Sequence, residues 1–248
     1  MIIFQHELKM AVDILLPLLA APCFTPQQVQ FTVLDIYEAN LQSAPGLVNA
    51  LGLQAYFNDY VLADATAWQW PYSTGSDIVI SETMNRDLQK EPQVAITLNL
   101  AAQLPRHGIL LPGRVTVTLH VTKGGWGKPM LNDATRIKNL GHLLTLHRHS
   151  TLQSITQQPL LRVTVPPDYH LHAHHIELFT HIDVYKSYQL GLFDCSLTLP
   201  LKLEKQGRGA IMAGDLLEFY YNFGEMPGIE FEKVRRGLHT AKLQKKPL

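Results

Sequence analysis

Two glutamates in one short stretch of the sequence could act together as a pair of acids. The segment SETMNRDLQKE, residues 81–91, follows the apolar run DIVI and carries Glu82 and Glu91, nine positions apart. In one continuous helix, nine steps of about 100° would put the two side chains on opposite faces. A strand-end loop that leads into a helix at Pro92 permits them to converge, and we expect this loop. The alternative is an ordinary helix start, in which Glu91 only complements the helix dipole.

Acidic residues also follow the neighbouring predicted strands. The first strand ends in Asp35 within VLDIYE, the second in Asp64 within LADAT, and the third in Ser81 and Glu82. Because an open parallel sheet binds ligands at the carboxyl ends of its strands, these acids are expected to share one rim. Asp35 could then accept the ribose hydroxyls of a nucleotide-like ligand, and Asp64 could face an adenine amino group. The alternative is that the two aspartates only cap the helices that follow.

The elements that must position these acids alternate along the first half of the chain. Apolar periodicity predicts helices over 8–21, 39–52 and 91–104, and strands over 30–37, 60–65, 76–81 and 108–113. Such alternation is typical of an α/β fold with a parallel sheet and crossover helices.

The pattern changes near residue 121. From Arg114 on, VTVTLHV alternates as a half-exposed strand does, and further short strands are predicted at 160–165, 175–185, 192–204 and 215–223. The Gly-rich, polar segment 124–142 is interpreted as a connector. We therefore expect a Rossmann-like domain over 1–121 and an antiparallel β-barrel-like domain over 122–248.

The composition excludes several classes of function. The chain has 248 residues, of which 46% are hydrophobic and 17% are charged, with 21 basic and 21 acidic residues. This balance argues against general binding to nucleic acid or to a membrane surface. The apolar patch within the first 22 residues is too short to span a bilayer. Two distant cysteines, Cys23 and Cys195, favour a reducing compartment, and we expect the cytoplasm.

The order and spacing of four segments resemble a known family. VLDIYEANL, YVLADATAW, DIVISETM and HGILLPG are similar to the corresponding segments of class I S-adenosylmethionine-dependent methyltransferases. SETMNRDLQKE resembles the double-glutamate loop of the protein arginine methyltransferases. The resemblance covers residues 14–121 well and the remainder only in outline, where the family carries a β-barrel-like domain.

The resemblance implies an acceptor and a reaction. In that family the two glutamates hold the substrate guanidinium, so Glu82 and Glu91 would bind and polarise a protein arginine or another nitrogen acceptor, protein or small molecule. A guanidinium is a planar fork of donors that pairs bidentately with carboxylates. Methyl transfer then depends chiefly on positioning.

The resemblance also implies a cofactor, S-adenosyl-L-methionine, and an assembly. Asp35 would bind its ribose, Asp64 and Ala65 would meet its adenine, and Met84, two positions after the first glutamate, would line its site. The family commonly forms dimers through an arm. A homodimer is therefore one expectation, although no equivalent of the arm is identified in the sequence.

The sequence departs from the family at the N-terminus. The family has a glycine-rich turn after its first strand, but the first glycine here is Gly46, and the turn should fall near residues 7–9. MIIFQ is interpreted as too short for a first strand, so the sheet would expose a central edge. Either the sequence is truncated, or it belongs to a degenerate relative; in both cases it should bind the cofactor poorly. The rival interpretation is a non-catalytic interaction or scaffold domain.

Two further segments bear on the function. The family's Thr-His-Trp loop has only SLTLPLKL as a counterpart, with Thr198 but no histidine or tryptophan, which puts arginine as the acceptor in doubt. YHLHAHH, 169–175, would place three histidines on one face of a strand. They would lie too far apart to share one metal ion, so a polar strand face is favoured over a zinc site.

Overall fold

The computed structural model describes residues 2–4, 21–71, 76–124, 133–156, 159–203 and 210–234. The helix predicted over 8–21 lies, apart from its last residue, outside these ranges. The positions 7–9, where the family has its glycine-rich turn, also lie outside them.

The first half of the chain forms the predicted parallel sheet. Its strand order is β3-β2-β1-β4-β5, and every neighbouring pair is parallel. Runs rich in valine, isoleucine and leucine suit such strands because helices cover both faces of a parallel sheet. The strands are β1 (Ile2–Phe4), β2 (Phe31–Asp35), β3 (Phe57–Leu62), β4 (Ile78–Glu82) and β5 (Ile109–Leu111).

The prediction that the first strand is missing is wrong. Residues Ile2–Phe4 form β1 in the centre of the sheet, paired on one side with β2 and on the other with β4. Three residues are a weak strand by themselves. Two parallel neighbours satisfy the backbone groups on both of its edges, so a short run of apolar residues suffices there.

Helices α1 (Glu38–Ala50) and α2 (Gln93–Ala101) connect the strands, as predicted. α1 is followed by Gly52, whose φ of 69° suits the left-handed position after a helix end. α2 buries Val94, Ile96 and Leu100, of which the last two pack in one cluster with sheet residues. Among the described residues, no helix is both long and apolar enough to cross a membrane.

The second half contains two antiparallel sheets rather than a closed barrel, as far as the described residues show. One sheet has the order β10-β9-β6-β7, with β11 also paired to β9, and the other has the order β13-β12-β8. A short helix, α3 (Leu152–Thr156), precedes β8. The strands are β6 (Arg114–Lys123), β7 (Ile137–His147), β8 (Leu161–Thr164), β9 (His174–Tyr185), β10 (Tyr188–Leu190), β11 (Leu201–Lys202), β12 (Leu216–Asn222) and β13 (Gly228–Val234).

Two expectations for this half need correction. The predicted connector 124–142 contains the start of β7, where Lys138 and Asn139 are polar and exposed. The strand predicted over 192–204 is mostly loop, with a 3-10 turn at Ser196–Thr198. The last strand of the parallel sheet ends at Leu111, and the first strand of the antiparallel half begins at Arg114. The expected boundary at residue 121 therefore lies inside β6. The division into two domains stays a prediction.

The inner faces of the two antiparallel sheets form the largest core cluster. Val117 and Leu119 of β6, Leu178 of β9, and Leu217 and Phe219 of β12 are fully buried in it. They occupy alternate positions of their strands, as the period of two requires. This core supports the strands to which the candidate site is attached.

Replacing Leu119 by alanine should lower the free energy of unfolding by about 3 kcal/mol, because the removed methyl groups leave a cavity in a close-packed core. Urea denaturation measures the change. Leu152→Ala is the control, since Leu152 is 58% exposed and its truncation should cost about 0.5 kcal/mol or less. Equal losses in the two variants would contradict this description of the core.

Candidate active site

The three acids lie at one edge of the sheet, although only Asp35 and Glu82 end their strands as predicted. In the strand register Leu62 stands beside Asp35, Asp35 beside Phe4, and Phe4 beside Glu82. With neighbouring strands about 4.8 Å apart, the backbones of Asp35 and Glu82 are separated by roughly 10 Å. Asp64 follows two residues after Leu62, so all three acids belong to the carboxyl edge of the sheet.

Asp35 and Asp64 both organise the turns that follow their strands. Asp35 Oδ1 accepts a hydrogen bond from Tyr37 N at 2.7 Å, and Asp64 Oδ1 accepts one from Thr66 N at 2.8 Å. Neither aspartate caps a helix, which was the alternative interpretation, because the N-cap of α1 is Tyr37 and Asp64 is followed by a turn. Such a bond uses only part of the acceptor capacity of a carboxylate, so it is compatible with a further role in binding.

The segment between the two glutamates is a loop and not a continuous helix. Glu82 ends β4, a 3-10 turn follows at Arg86–Leu88, and α2 begins at Gln93 after Pro92. The predicted strand-end loop is thus confirmed.

A buried cluster of hydrogen bonds holds the two ends of this loop together. The hydroxyls of Ser81 and Thr83 both donate to Gln93 Oε1, at 2.9 and 2.5 Å, and Gln93 Nε2 donates to Thr97 Oγ1 at 3.1 Å. Ser81 and Thr83 flank Glu82, and Gln93 lies two residues after Glu91. The cluster therefore brings the two glutamate-bearing segments together, while convergence of the carboxylates themselves stays a prediction.

The loop is also attached to the antiparallel half at five successive residues. Each of them hydrogen-bonds to a residue of β9, β12, β13, the β12–β13 hairpin or the segment before β11. The pairs are Arg86 Nη1 with Pro200 O (3.4 Å), Asp87 Oδ1 with Thr180 Oγ1 (2.7 Å), Leu88 O with the Tyr221 hydroxyl (3.2 Å), Gln89 Nε2 with Ile229 O (3.2 Å) and Lys90 N with Pro227 O (2.6 Å).

The loop backbone is strained in the process. Asp87, Leu88 and Lys90 have φ angles of 56°, 57° and 67°, in the left-handed region that side chains other than glycine disfavour. Each such residue costs on the order of 1 kcal/mol, which the surrounding contacts must offset. The antiparallel half thus dictates the conformation of the loop between the glutamates.

Asp87 is the most electrostatically perturbed group of the loop. Its carboxyl is fully buried, and burial raises its pKa to about 7, an effect that the hydrogen bond from Thr180 and the charge of Arg86 oppose and the charge of Glu177 reinforces. Asp87 Oδ2 has no hydrogen-bond partner among the described residues. A protonated, neutral Asp87 is consistent with that environment.

A cavity of about 370 Å³ joins the rim of the sheet to the antiparallel half. Ile36 and Asp64 line it from the sheet, Lys90 and Pro92 from the loop, and Tyr221 from β12. This volume lies within the range of small-molecule sites, roughly 300 to 1,000 Å³.

Large apolar side chains are exposed at the same rim. Tyr37 is 51% exposed and follows the end of β2 by two residues, and Leu62, the last residue of β3, is 55% exposed. The sequence pattern predicted a strand over 30–37, but β2 ends at Asp35, so Tyr37 belongs to the rim instead. A tyrosine two positions after a strand-end acid was the signal for a rim residue.

The other predicted site residues serve packing. Ala65 is buried in the cluster beneath the sheet, and Met84 packs against the core of the antiparallel half. SLTLPLKL packs against the loop, since its turn Ser196–Thr198 contacts the turn Arg86–Leu88.

The histidine-rich stretch is not a strand face. Residues 171–173 form a turn and β9 begins at His174, whose Nδ1 accepts a hydrogen bond from His170 N at 2.9 Å. Within the part of the chain that the structure describes, no three potential ligands are grouped so as to hold a metal ion.

Comparison with known proteins identifies the fold of the chain, through its similarity to solved structures. No protein-family model matches the sequence, and no curated protein does. Among solved structures, protein arginine methyltransferase 10 of Arabidopsis thaliana matches with a TM-score of 0.58 at 9% identity, over 94% of this chain and 89% of that one. The Trypanosoma brucei PRMT1 enzyme–prozyme heterotetrameric complex with AdoHcy matches with a TM-score of 0.55 at 10% identity, over 94% and 89% of the two chains. PRMT6 matches with a TM-score of 0.55 at 10% identity, over 93% and 89%.

The chain has the fold of the protein arginine methyltransferases. The likeness extends over both the parallel sheet and the antiparallel half, because the matches cover 93 to 94% of this chain. At these identities the likeness concerns the fold alone.

Asp87→Asn should become more stable relative to the unchanged protein as the pH rises from 4 to 8. In the unchanged protein, the native state keeps the Asp87 proton up to about pH 7, whereas the unfolded chain releases it near pH 3.8. The unchanged protein therefore loses stability as the pH rises from about 3.8 to about 7, and the asparagine variant does not. At about 1.4 kcal/mol per pKa unit, the difference amounts to a few kcal/mol. Urea denaturation at several pH values measures it.

The exposed Asp77→Asn serves as the control. Burial lowers the pKa of His120 to about 4, so this residue destabilises the protein as the pH falls. His120 is present in all three proteins, so its effect cancels when their free energies of unfolding are compared. A difference between Asp87→Asn and the unchanged protein that stays constant with pH would refute the assignment of the raised pKa.

Proposed function

We propose that the protein is an S-adenosylmethionine-dependent methyltransferase that acts on a nitrogen acceptor, with protein arginine as the first candidate. The observation that carries the proposal is the row of acids at the carboxyl edge of a sheet with the arginine methyltransferase-like fold. The cavity beside that row has the volume that a small-molecule ligand requires.

The residues of the rim suit the cofactor. Asp35 would accept hydrogen bonds from the ribose hydroxyls, Asp64 would meet the adenine amino group, and the exposed ring of Tyr37 offers an apolar face for the base. Ala65 and Met84 remain part of the proposed cofactor site, although both side chains also pack in the protein core. When bound, S-adenosylmethionine would supply an activated methyl group.

The two glutamates would bind the acceptor. With the ends of the loop held by Gln93, Glu82 and Glu91 would hold a guanidinium from two sides and orient one nitrogen for attack. Their negative charge would stabilise the cation that results from transfer. The burial of Ser81, Thr83 and Gln93 would keep this geometry rigid.

A non-catalytic interaction domain is the second candidate. It is favoured by the absence of any glycine before Gly46, since a glycine-rich turn lets the backbone approach this cofactor in class I methyltransferases. One of the similar structures is an enzyme–prozyme heterotetramer, so we include assembly with a second chain, like or unlike, in the proposal. A cytoplasmic location is proposed from the absence of a disulfide framework in the sequence.

Calorimetric titration with S-adenosylhomocysteine tests the cofactor site. The sequence alone predicted weak cofactor binding, but β1 completes the sheet, so the unchanged protein should bind it. Asp35→Asn should weaken binding about tenfold or more, since a charge-assisted hydrogen bond to each hydroxyl is lost. Asp77→Asn is the matched control, because Asp77 precedes β4 at the opposite edge of the sheet. Absence of binding to the unchanged protein would favour the scaffold.

The glutamates are tested by methyl transfer from labelled S-adenosylmethionine to an arginine-containing peptide. Glu82→Gln and Glu91→Gln should each lower the rate at least about a hundredfold, because a neutral amide neither attracts nor polarises the guanidinium. Binding of S-adenosylhomocysteine should change little. Glu232→Gln, an exposed change on β13, is the control, and unchanged rates in the first two variants would rule out the assigned roles.

A further inference from the structure

A groove of about 950 Å³ lies beside the loop. We call it the basic groove. It is lined by loop residues between Asn85 and Lys90, by the segment Pro200–Leu203 and by the segment Met226–Phe231. It is lined by the loop between the two glutamates, so any ligand in it lies against the segment that positions them.

The charge of the groove is predominantly positive. Among the described residues, Arg86, Lys90 and Lys202 line it, together with one carboxylate, Glu230. That carboxylate is already engaged, because Glu230 Oε1 accepts from Asn222 Nδ2 at 2.8 Å and Oε2 accepts from the Tyr220 hydroxyl at 3.2 Å. Since the chain as a whole is neutral, this local excess of cations selects for anionic ligands.

Apolar residues also contribute to the lining of the groove. Leu201 and Leu203, which pack against the core of the antiparallel half as well, lie on one side, and Met226, which is 61% exposed, lies on the other. Methionine adapts its shape to varied partners. A groove of this size with both apolar and cationic contacts is too large for a single small anion and suits an extended chain that carries acidic and apolar residues.

We propose that the basic groove binds an extended, acidic segment of a polypeptide. A single-stranded nucleic acid is less well matched, because its bases need exposed aromatic faces, and the aromatic residue that lines the groove, Phe231, is only 7% exposed. The inference rests on the proposed function in one respect. It identifies the bound segment with the sequence that flanks the methyl acceptor, which would be rich in aspartate and glutamate.

Fluorescence anisotropy with a short labelled peptide of alternating glutamate and valine tests the groove. The unchanged protein should bind it, more weakly as sodium chloride is added. Lys202→Glu should weaken binding about tenfold, and Lys202→Arg should restore it, because the charge rather than the side-chain shape is recognised. Lys202 is exposed, so neither change should disturb folding.

Lys138→Glu is the matched control, since it reverses an exposed charge on β7 outside the groove. An equal loss in this variant, tighter binding of the corresponding lysine–valine peptide or of single-stranded oligothymidine, or no binding of the acidic peptide would each overturn the inference. Binding of this peptide needs no cofactor. If the peptide binds but S-adenosylhomocysteine does not, the proposed methyl transfer fails and the groove stands.

Discussion

The attachment of the loop between Glu82 and Glu91 to the antiparallel half is the interaction on which the candidate site depends. Five successive loop residues hydrogen-bond to that half, and three of them adopt left-handed backbone angles. A loop of this length would otherwise sample many conformations, with an entropic cost at each binding event. The second half of the chain therefore acts as a template for a site whose acids all come from the first half.

The parallel sheet was largely predictable from the sequence, and the acids at its rim with it. Strands β2 and β4 are apolar runs that end in Asp35 and Glu82, and parallel pairing brings such ends to one edge. The central strand β1 was missed because three residues carry no periodicity of their own. Its stability comes from two neighbours that are distant in the sequence.

The attachments of the loop could not have been predicted in the same way. The bonds of Asp87 to Thr180 and of Leu88 to Tyr221 join positions 93 and 133 residues apart, and no local pattern encodes them. β7 was not predicted as a strand for a related reason. The polar residues near its start gain their strand conformation from pairing with β6. Gln93 offered a weaker signal, an amide at a helix start that turned out to be buried.

The attachment of the loop to the antiparallel half also restricts which side chain fits at residue 228. A Cβ at this position would overlap the side-chain amide of Gln89, which would have to move away from the Ile229 carbonyl to which it donates a hydrogen bond. Gly228 bears no chemical group that could take part in a reaction. Even so, a substitution there would remove one of the attachments of the loop between Glu82 and Glu91, so a change in the β12–β13 hairpin would act on the rim of the other half of the molecule.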